Sequence, residues 1–385
     1  MPHRLPTLCV HAGSRTDVPA EGTAAAIYPA TAYGFLDGDE RRYPRYLNTA
    51  NQVRVARKVA ALEGSEAGLL LGSGMAAIST ALLAFLRPGD HVLMQRGLYG
   101  GTTSFAEADL RGLGIEVSYT DGLSALDFEG GLRQNTRVVY LETPSNPLLN
   151  LVDVAAVANL ARGHGAVSVI DNTFASPINQ TPHRLGVDIV LHSATKYLGG
   201  HSDLTAGVVC GSEAHVGRVL AKARHLGGSC EPQTAALLER SIKTLALRVR
   251  RQTANARAMA EWLGGRDEVT AVYYPGLPSH PGHALAARQM HGFGAMLSFE
   301  LAGGIDAIAF QQNLSLIASA MSLGGVDTTV CSPFLTSHRT VGPERRAAEG
   351  VTDRLVRMSL GIEDVRDLRE DVAAALAAVG PAVVG

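Results

Sequence analysis

The chain is 385 residues long and 46% hydrophobic, which is ample for a large core and two domains. With 34 basic against 36 acidic residues and a formal net charge of -2, it has no electrostatic footprint for nucleic acid or an anionic membrane. Four scattered cysteines without a CxxC pair, no apolar h-region at the N-terminus and no run long enough to span a bilayer lead us to expect a soluble protein of the reducing cytoplasm, without disulfide frame or zinc site.

Residues 1–47 are rich in Gly, Pro, Thr and Tyr and lack sustained periodicity, as in an arm that wanders or embraces a neighbouring subunit. The arm ends in Tyr43-Pro44-Arg45, just before a helix predicted over Asn51 to Glu63 and stopped by Gly64. Residues 48–240 then alternate short apolar runs with helical patterns, the signature of an α/β domain with a mostly parallel sheet. The predicted strands are Ala67 to Leu71, His91 to Gln95, Ile115 to Thr120, Arg137 to Glu142, Val167 to Asp171 and Val187 to Leu191, with Ala206 to Cys210 as a further, antiparallel candidate. A helical pattern runs from Gln233 to Trp262, and its arginine-dense turns read as a solvated face. Residues 241–385 read as a smaller α/β domain, with strands at Val269 to Tyr274, Ala295 to Leu301 and Leu355 to Leu360 and a closing helix over Arg366 to Val379.

Polar residues gather where the first domain's apolar runs stop: Tyr99, then Glu142 and Asn146, then Asp171, then Lys196. Ligands of parallel sheets sit beyond the carboxyl ends of the strands, so these residues are expected to converge. Lys196 lies in Ser193-Ala194-Thr195-Lys196, between small hydroxyls that can bind an anion beside an amine partly removed from water. Gly72-Ser73-Gly74-Met75-Ala76-Ala77 fits G-x-G-x-x-A between a strand and a helix, so a dinucleotide site is one reading. The next strand ends Met94-Gln95-Arg96-Gly97 without the carboxylate that would hold a ribose, which weakens that reading, and it leaves Lys196 and Asp171 unexplained. Pyridoxal 5′-phosphate needs a phosphate cradle, a lysine, a carboxylate for its ring nitrogen and an aromatic face. Gly74, Met75, Ser193 and Thr195 supply the first, Lys196, Asp171 and Tyr99 the others. Singly, Tyr99 reads as a turn aromatic, Asp171 as a helix cap and Asn146 as an Asx-turn residue; in strand-end order they read together. His192, His201 and Asp203 lack a further ligand at convincing spacing, so no metal is expected.

Taken together, Ser73-Gly74-Met75-Ala76-Ala77, Tyr99-Gly100-Gly101-Thr102, Glu142-Thr143-Pro144-Ser145-Asn146-Pro147, Asp171-Asn172-Thr173, Ser193-Ala194-Thr195-Lys196-Tyr197, Ser322-Leu323-Gly324-Gly325 and Arg357-Met358-Ser359-Leu360-Gly361 are specific. On them the sequence resembles, over nearly its whole length, the cysteine/methionine-metabolism family of pyridoxal-phosphate enzymes. These are cystathionine γ-synthase, γ-lyase and β-lyase, methionine γ-lyase and the homoserine-ester sulfhydrylases. The resemblance implies the aspartate-aminotransferase fold (fold type I) and a homotetramer built as a dimer of dimers. It gives Lys196 the Schiff base and the proton shuttle, Asp171 the ring nitrogen and Tyr99 the ring face. It gives Gly74, Met75, Ser193 and Thr195 the phosphate, joined by Tyr43 and Arg45 from the adjacent subunit. Arg357, with Ser322 and with Asn146, which also borders the cofactor, would hold the substrate carboxylate.

The chain departs from the family at Asn48-Thr49-Ala50 after Tyr43-x-Arg45, at Asp327 where the γ-enzymes commonly carry glutamate, at Ser332-Pro333 and at Ser337-His338. Methionine γ-lyases usually carry cysteine where Gly101 stands, and enteric-type cystathionine β-lyases carry tryptophan where Leu323 stands. The expected activity is elimination or replacement at Cγ or Cβ of a sulfur-containing or O-acylated amino acid, with Asp327 meeting the distal end of the substrate. A nucleotide-dependent oxidoreductase and a non-catalytic scaffold of the same fold are the alternatives of other classes.

Overall fold

A computed structural model describes residues 3–13, 24, 26–36, 41–120, 122–337, 339 and 342–379. The chain divides into one unit of Met1–Glu142 with Val152–Leu247 and a second of Thr143–Leu151 with Arg248–Gly385.

The first unit is built on seven strands: β1 (Ala67–Leu71), β2 (His91–Met94), β3 (Glu116–Tyr119), β4 (Thr136–Glu142), β5 (Val167–Asp171), β6 (Ile189–Ser193) and β7 (Gly207–Gly211). Their order in the sheet is β1-β7-β6-β5-β4-β2-β3. The pairs from β6 through β5, β4 and β2 to β3 are parallel, while β7 runs antiparallel to both β1 and β6. Apolar runs of four or five residues suit strands covered on both faces, and Val92, Val138, Tyr140, Val169, Ile189 and Val209 are completely or almost completely buried. The helix Ala50–Glu63 starts in a capping box of Thr49 and Gln52 and stops at Gly64, whose φ of 72° is the left-handed conformation that glycine adopts without penalty.

The N-terminal arm holds a helix that its irregular pattern did not announce, Leu5–His11. Lys58, fully buried, donates to the carbonyls of Cys9 and Val10 at 3.1 Å each, so a cation closes the C-terminal end of that helix. Glu239 balances the Lys58 charge at 3.2 Å. The helical pattern predicted from Gln233 to Trp262 is two helices, Pro232–Ile242 and Leu245–Leu263. Both the backbone N–H and the hydroxyl of Thr244 turn back to the Ser241 carbonyl at 3.2 Å, which closes the first helix before the second begins. Of the arginines in this stretch, Arg240, Arg250 and Arg251 are exposed and Arg248 is buried.

The second unit carries a five-stranded sheet of β8 (Val269–Tyr273), β9 (Met296–Leu301), β10 (Ala318–Ser319), β11 (Thr329–Cys331) and β12 (Leu355–Ser359), ordered β10-β11-β12-β9-β8. It is antiparallel except for the β10/β11 pair. Phe299, Phe310, Met358, Leu368, Val372 and Leu376 form its fully buried centre, with the closing helix Val365–Val379 supplying the last three. The Ser298 hydroxyl donates to the Pro147 carbonyl at 2.7 Å, tying the excursion Thr143–Leu151 to β9. Among the described residues no helix is long and apolar enough to cross a membrane.

Candidate active site

In the first unit, sheet register brings the strand-end residues together. Glu142 on β4 pairs with Asp171 on β5, and Asp171 pairs with Leu191 on β6, two residues before Ser193. The hydroxyl of Thr173 accepts from the Ser193 N–H at 2.8 Å, while the Thr173 N–H donates to Asp171 Oδ1 at 2.9 Å. One residue thus fixes both the carboxylate and the start of the lysine turn. Beyond Ser193 the turn is held by its own backbone, with Lys196 N–H on the Ser193 carbonyl at 3.1 Å and Gly200 N–H on the Lys196 carbonyl at 2.7 Å. The Thr195 hydroxyl bonds the Ala206 backbone on both sides, at 3.2 and 3.3 Å. Ser193, Thr195 and Lys196 are half-buried.

The helix Gly74–Phe85 begins against this turn. Its cap is Ser73, whose hydroxyl accepts from the Ala76 N–H at 3.0 Å. A Cβ on Gly74 would lie 2.7 Å from Ser193 Cβ and 2.8 Å from its hydroxyl, so only glycine lets the helix start so close to that serine. Gly207 is equally constrained, since a Cβ there would fall 2.0 Å from the Ser73 carbonyl oxygen. Tyr99 is placed from below by Glu142, whose carboxylate accepts from the Tyr99 N–H at 2.9 Å. Its ring and the Met75 sulfur flank Gly101, at 2.5 and 3.0 Å from where a Cβ would stand. The ring is half exposed (46%) and so free to cover a ligand.

Asp171 is only 7% exposed, and burial pushes its carboxyl above the usual range. The bonds from Thr173, and the nearby His192, act in the opposite sense. Tyr140 on β4 is pushed up by burial and by the charges of Asp171 and Glu142. A buried carboxylate of this kind calls for a cation, and a protonated ring nitrogen is one. Phosphate fits beside Gly74 and Ser193, where a helix opens with amides that have no partner among the described residues, next to the Ser193 hydroxyl; the Thr195 hydroxyl is engaged with the Ala206 backbone. The residues present therefore suit pyridoxal phosphate.

In the second unit Arg357, on β12, is 7% exposed. Its Nη1 donates to Asn146 Oδ1 at 2.8 Å and its Nη2 to the Ser322 carbonyl at 3.3 Å. Both acceptors are neutral, and no acidic side chain pairs with the guanidinium among the described residues. Ser322 thus contributes its carbonyl here, in a left-handed backbone with φ of 88°. The loop after it is pinned at its far end, where Glu363 accepts from the Thr328 N–H and hydroxyl and the Ile362 N–H donates to the Val326 carbonyl. Asp327, between these anchors, is exposed. Ser332 is buried with a hydroxyl lacking a partner among the described residues. His338 lies outside the described residues.

Tyr43 and Arg45 are not drawn into the Lys196 cluster. Arg45 donates to the Arg224 carbonyl at 2.6 Å and lies over the rings of Tyr43 and Tyr46. His192 bonds Glu63 and His201 bonds the Gly199 carbonyl, and no trio of His, Cys, Asp or Glu is placed to hold a metal among the described residues. Sequence reasoning missed Thr173 as the tie between Asp171 and Ser193, and Gly207 as the opening for the helix start. It also missed Glu63 as a partner of His192, since an acid at the end of a helix carries no signal of burial.

A profile of Cys/Met metabolism PLP-dependent enzymes matches residues 6–377. The chain belongs to that family. It is 42% identical over 373 residues to the cystathionine gamma-lyase of Bacillus subtilis (strain 168), covering 96% of this chain and 98% of that one. It is 43% identical over 367 residues to the L-methionine gamma-lyase of Pseudomonas putida, covering 94% and 92%. Among solved structures, the cystathionine gamma-lyase from Lactobacillus plantarum complexed with L-serine superposes with a TM-score of 0.95 at 37% identity, over 98% of this chain and 99% of that one. This Cys/Met metabolism enzyme is thus a fold type I protein that depends on pyridoxal phosphate. The nucleotide reading of Gly72 to Ala77 falls away.

Proposed function

We propose that the enzyme catalyses elimination or replacement at Cγ of a sulfur-containing or O-acylated amino acid, in the manner of cystathionine γ-synthase or γ-lyase, and prefers cystathionine to methionine. The observation that carries the amino-acid substrate is the Arg357 guanidinium, buried between two neutral acceptors. A buried cation without a counter-charge favours an anion, and a planar fork suits the two oxygens of an α-carboxylate. Bound pyridoxal phosphate supplies the electron sink that makes the substrate Cα–H acidic. Lys196 takes the proton from Cα and returns it further along the substrate chain. Asp171 holds the proton at the cofactor's ring nitrogen, Tyr99 covers the ring, and the Gly74 and Met75 amides with Ser193 and Thr195 hold the phosphate.

Gly101 supports the preference against methionine. The cysteine that methionine γ-lyases usually carry has no room there without moving the Tyr99 ring. Asp327 supports γ-chemistry on cystathionine, since its carboxylate has no partner among the described residues and is available to a distal ammonium. Tyr43 and Arg45 act in the phosphate site of a neighbouring subunit of a cytoplasmic homotetramer. Inactive Arg45→Ala and Lys196→Ala chains, allowed to exchange subunits, should then recover part of the activity; full exchange without recovery would refute the sharing.

The deciding experiment incubates the purified enzyme with cystathionine, methionine, cysteine, O-succinylhomoserine and O-acetylhomoserine and measures ketoacid, thiol and ammonia. Cystathionine should take up one water and yield cysteine, 2-oxobutyrate and ammonia. Pyruvate and homocysteine from cystathionine, or methionine as the better substrate, would overturn the proposal.

A further inference from the structure

A second ionisable pair lies across the sheet from the cofactor residues and has no part in the chemistry so far. Glu63 ends the helix Ala50–Glu63 and is fully buried; His192, 1% exposed, directly precedes Ser193. His192 Nε2 meets Glu63 Oε1 at 2.6 Å, and Asn172 Nδ2 donates to the same oxygen at 2.9 Å. Gln180 fixes Asn172 from its other side, donating to Oδ1 at 3.1 Å while its carbonyl accepts from Nδ2 at 3.0 Å. The Asn172 N–H on Oε1 favours an ionised carboxylate, because that bond strengthens with the acceptor's charge, and to an ionised carboxylate His192 Nε2 can only donate. A buried carboxylate in turn favours a proton on the base that touches it.

Side chains alternate along a strand. Leu191 is in register with Asp171, so His192 points to the opposite face and acts on Asp171 by its field through the sheet, where low polarity transmits charge well. The other titratable groups nearby do not supply that charge. Cys210 on β7 is pushed well up by burial and by Glu63, Tyr140 on β4 is pushed up likewise, and Glu142 on β4 is acidic. His192 does act on Asp171 in the direction of holding its carboxyl down.

We propose that Glu63 and His192 are positioning residues: Glu63 keeps a proton on the His192 ring, and the resulting imidazolium keeps Asp171 ionised for the cofactor's ring nitrogen. The inference rests on the reading of Asp171 as the partner of that nitrogen. It assigns a task to a buried pair 129 residues apart in sequence, on the face of the sheet opposite Asp171.

The test is solid-state NMR of the loaded enzyme, with 15N in the histidine rings or in the ring of pyridoxal phosphate. In the unaltered protein both His192 ring nitrogens should carry protons at pH 8; a neutral His192 ring there overturns the proposal without any variant. In Glu63→Gln and His192→Gln the ring-nitrogen resonance of the cofactor should move toward its unprotonated position. The pH at which that proton is lost should fall by about one unit, and kcat should fall about tenfold with little change in KM. Glu63→Asp should restore part of each. If both variants lower the melting temperature but leave the ring-nitrogen resonance and its titration unchanged, the pair is only a clamp and the proposal fails. Asp171→Asn separates the two readings. Loss of the ring proton in Asp171→Asn alone overturns this proposal and leaves the role of Asp171 standing, whereas retention in all three variants overturns both.

Discussion

The Lys196 cluster of the first unit and the Arg357 cluster of the second are built by different means. Around Lys196 the backbone does the placing: Thr173 holds Asp171 and Ser193, Glu142 holds the Tyr99 N–H, and two glycines admit the helix start. Few residue types fit such positions, and there the sequence follows the family's motifs. Around Arg357 the anchor itself is fixed on a strand, but its neighbours come from a loop whose Asp327 side chain is exposed. Loop-borne positions accept other side chains, and apart from Asn48-Thr49-Ala50 the departures from the family pattern fall at Asp327, Ser332 and Ser337. On the proposed function, reaction type would rest mainly with the first cluster, and substrate choice with the second together with Gly101 beside Tyr99. The sharpest way to break this division is Lys196→Ala. It should lower turnover by about a thousandfold or more, since it removes the group that moves the proton, and abolish the visible absorbance of the covalently held cofactor. The protein should keep its far-UV spectrum. Retained turnover with retained absorbance would place the proton chemistry elsewhere.

Arg357→Lys should have the next largest effect, and of another kind. A point charge cannot reproduce the fork that Asn146 and the Ser322 carbonyl orient, so KM should rise about a hundredfold while the cofactor absorbance stays as it was. A loss confined to kcat, or a bleached cofactor, would mean that the two clusters do not divide the work in this way.

How much of this was legible in the sequence follows the same line. Apolar runs bounded by glycine gave β1 and β5 to the residue, and the polarity change after each run marked where Asp171, Tyr99 and Lys196 lie, because a strand's end is a local event. The excursion of Thr143–Leu151 into the second unit has no local pattern; it is held by tertiary bonds such as Ser298 to the Pro147 carbonyl. The helix Leu5–His11 was missed because seven residues give too short a window for periodicity, and its stability comes from Lys58, far along the chain. The break between Ile242 and Leu245 was missed because neither glycine nor proline marks it; a threonine folded onto its own helix does. The Glu63–His192 pair joins two elements 129 positions apart, a separation that no motif records.

The first unit should also weaken in acid. His91, on β2 of the first unit, is fully buried between the hydroxyls of Thr136 and Ser118, at 2.7 Å each. Burial first, and then Arg133, lowers its pKa from 6.5 to about 4. The unfolded chain therefore takes up this proton before the folded one does, so the stabilisation is complete above about pH 6.5 and is lost as pH falls toward 4, up to about 3 kcal/mol in all. The single tryptophan, Trp262, reports on the second unit, whereas circular dichroism sees both. Urea transitions followed by dichroism should shift to lower denaturant between pH 7 and pH 5, and less so in His91→Gln. An equal shift in both proteins would show that other groups govern the acid response.

The smallest expected effect tests the second cluster at its most variable point. Asp327 is exposed, so water screens its charge and a contact with the distal ammonium of cystathionine should contribute near the lower end of a charge-assisted bond, about 1.5 kcal/mol. Asp327→Ala should therefore lower kcat/KM for cystathionine by about tenfold, and leave kcat/KM for methionine, which has no distal ammonium, within about twofold. Asp327→Glu, one methylene longer, should keep the preference, because the loop is pinned at Thr328 and Ile362 and leaves the side chain free to reach. Raising the ionic strength should erode the preference of the unaltered enzyme and not that of Asp327→Ala, since only an exposed charge pair is screened. A preference for cystathionine that survives both the substitution and added salt would move the source of specificity from this carboxylate to the buried Ser332 beside β11, whose hydroxyl has no partner among the described residues.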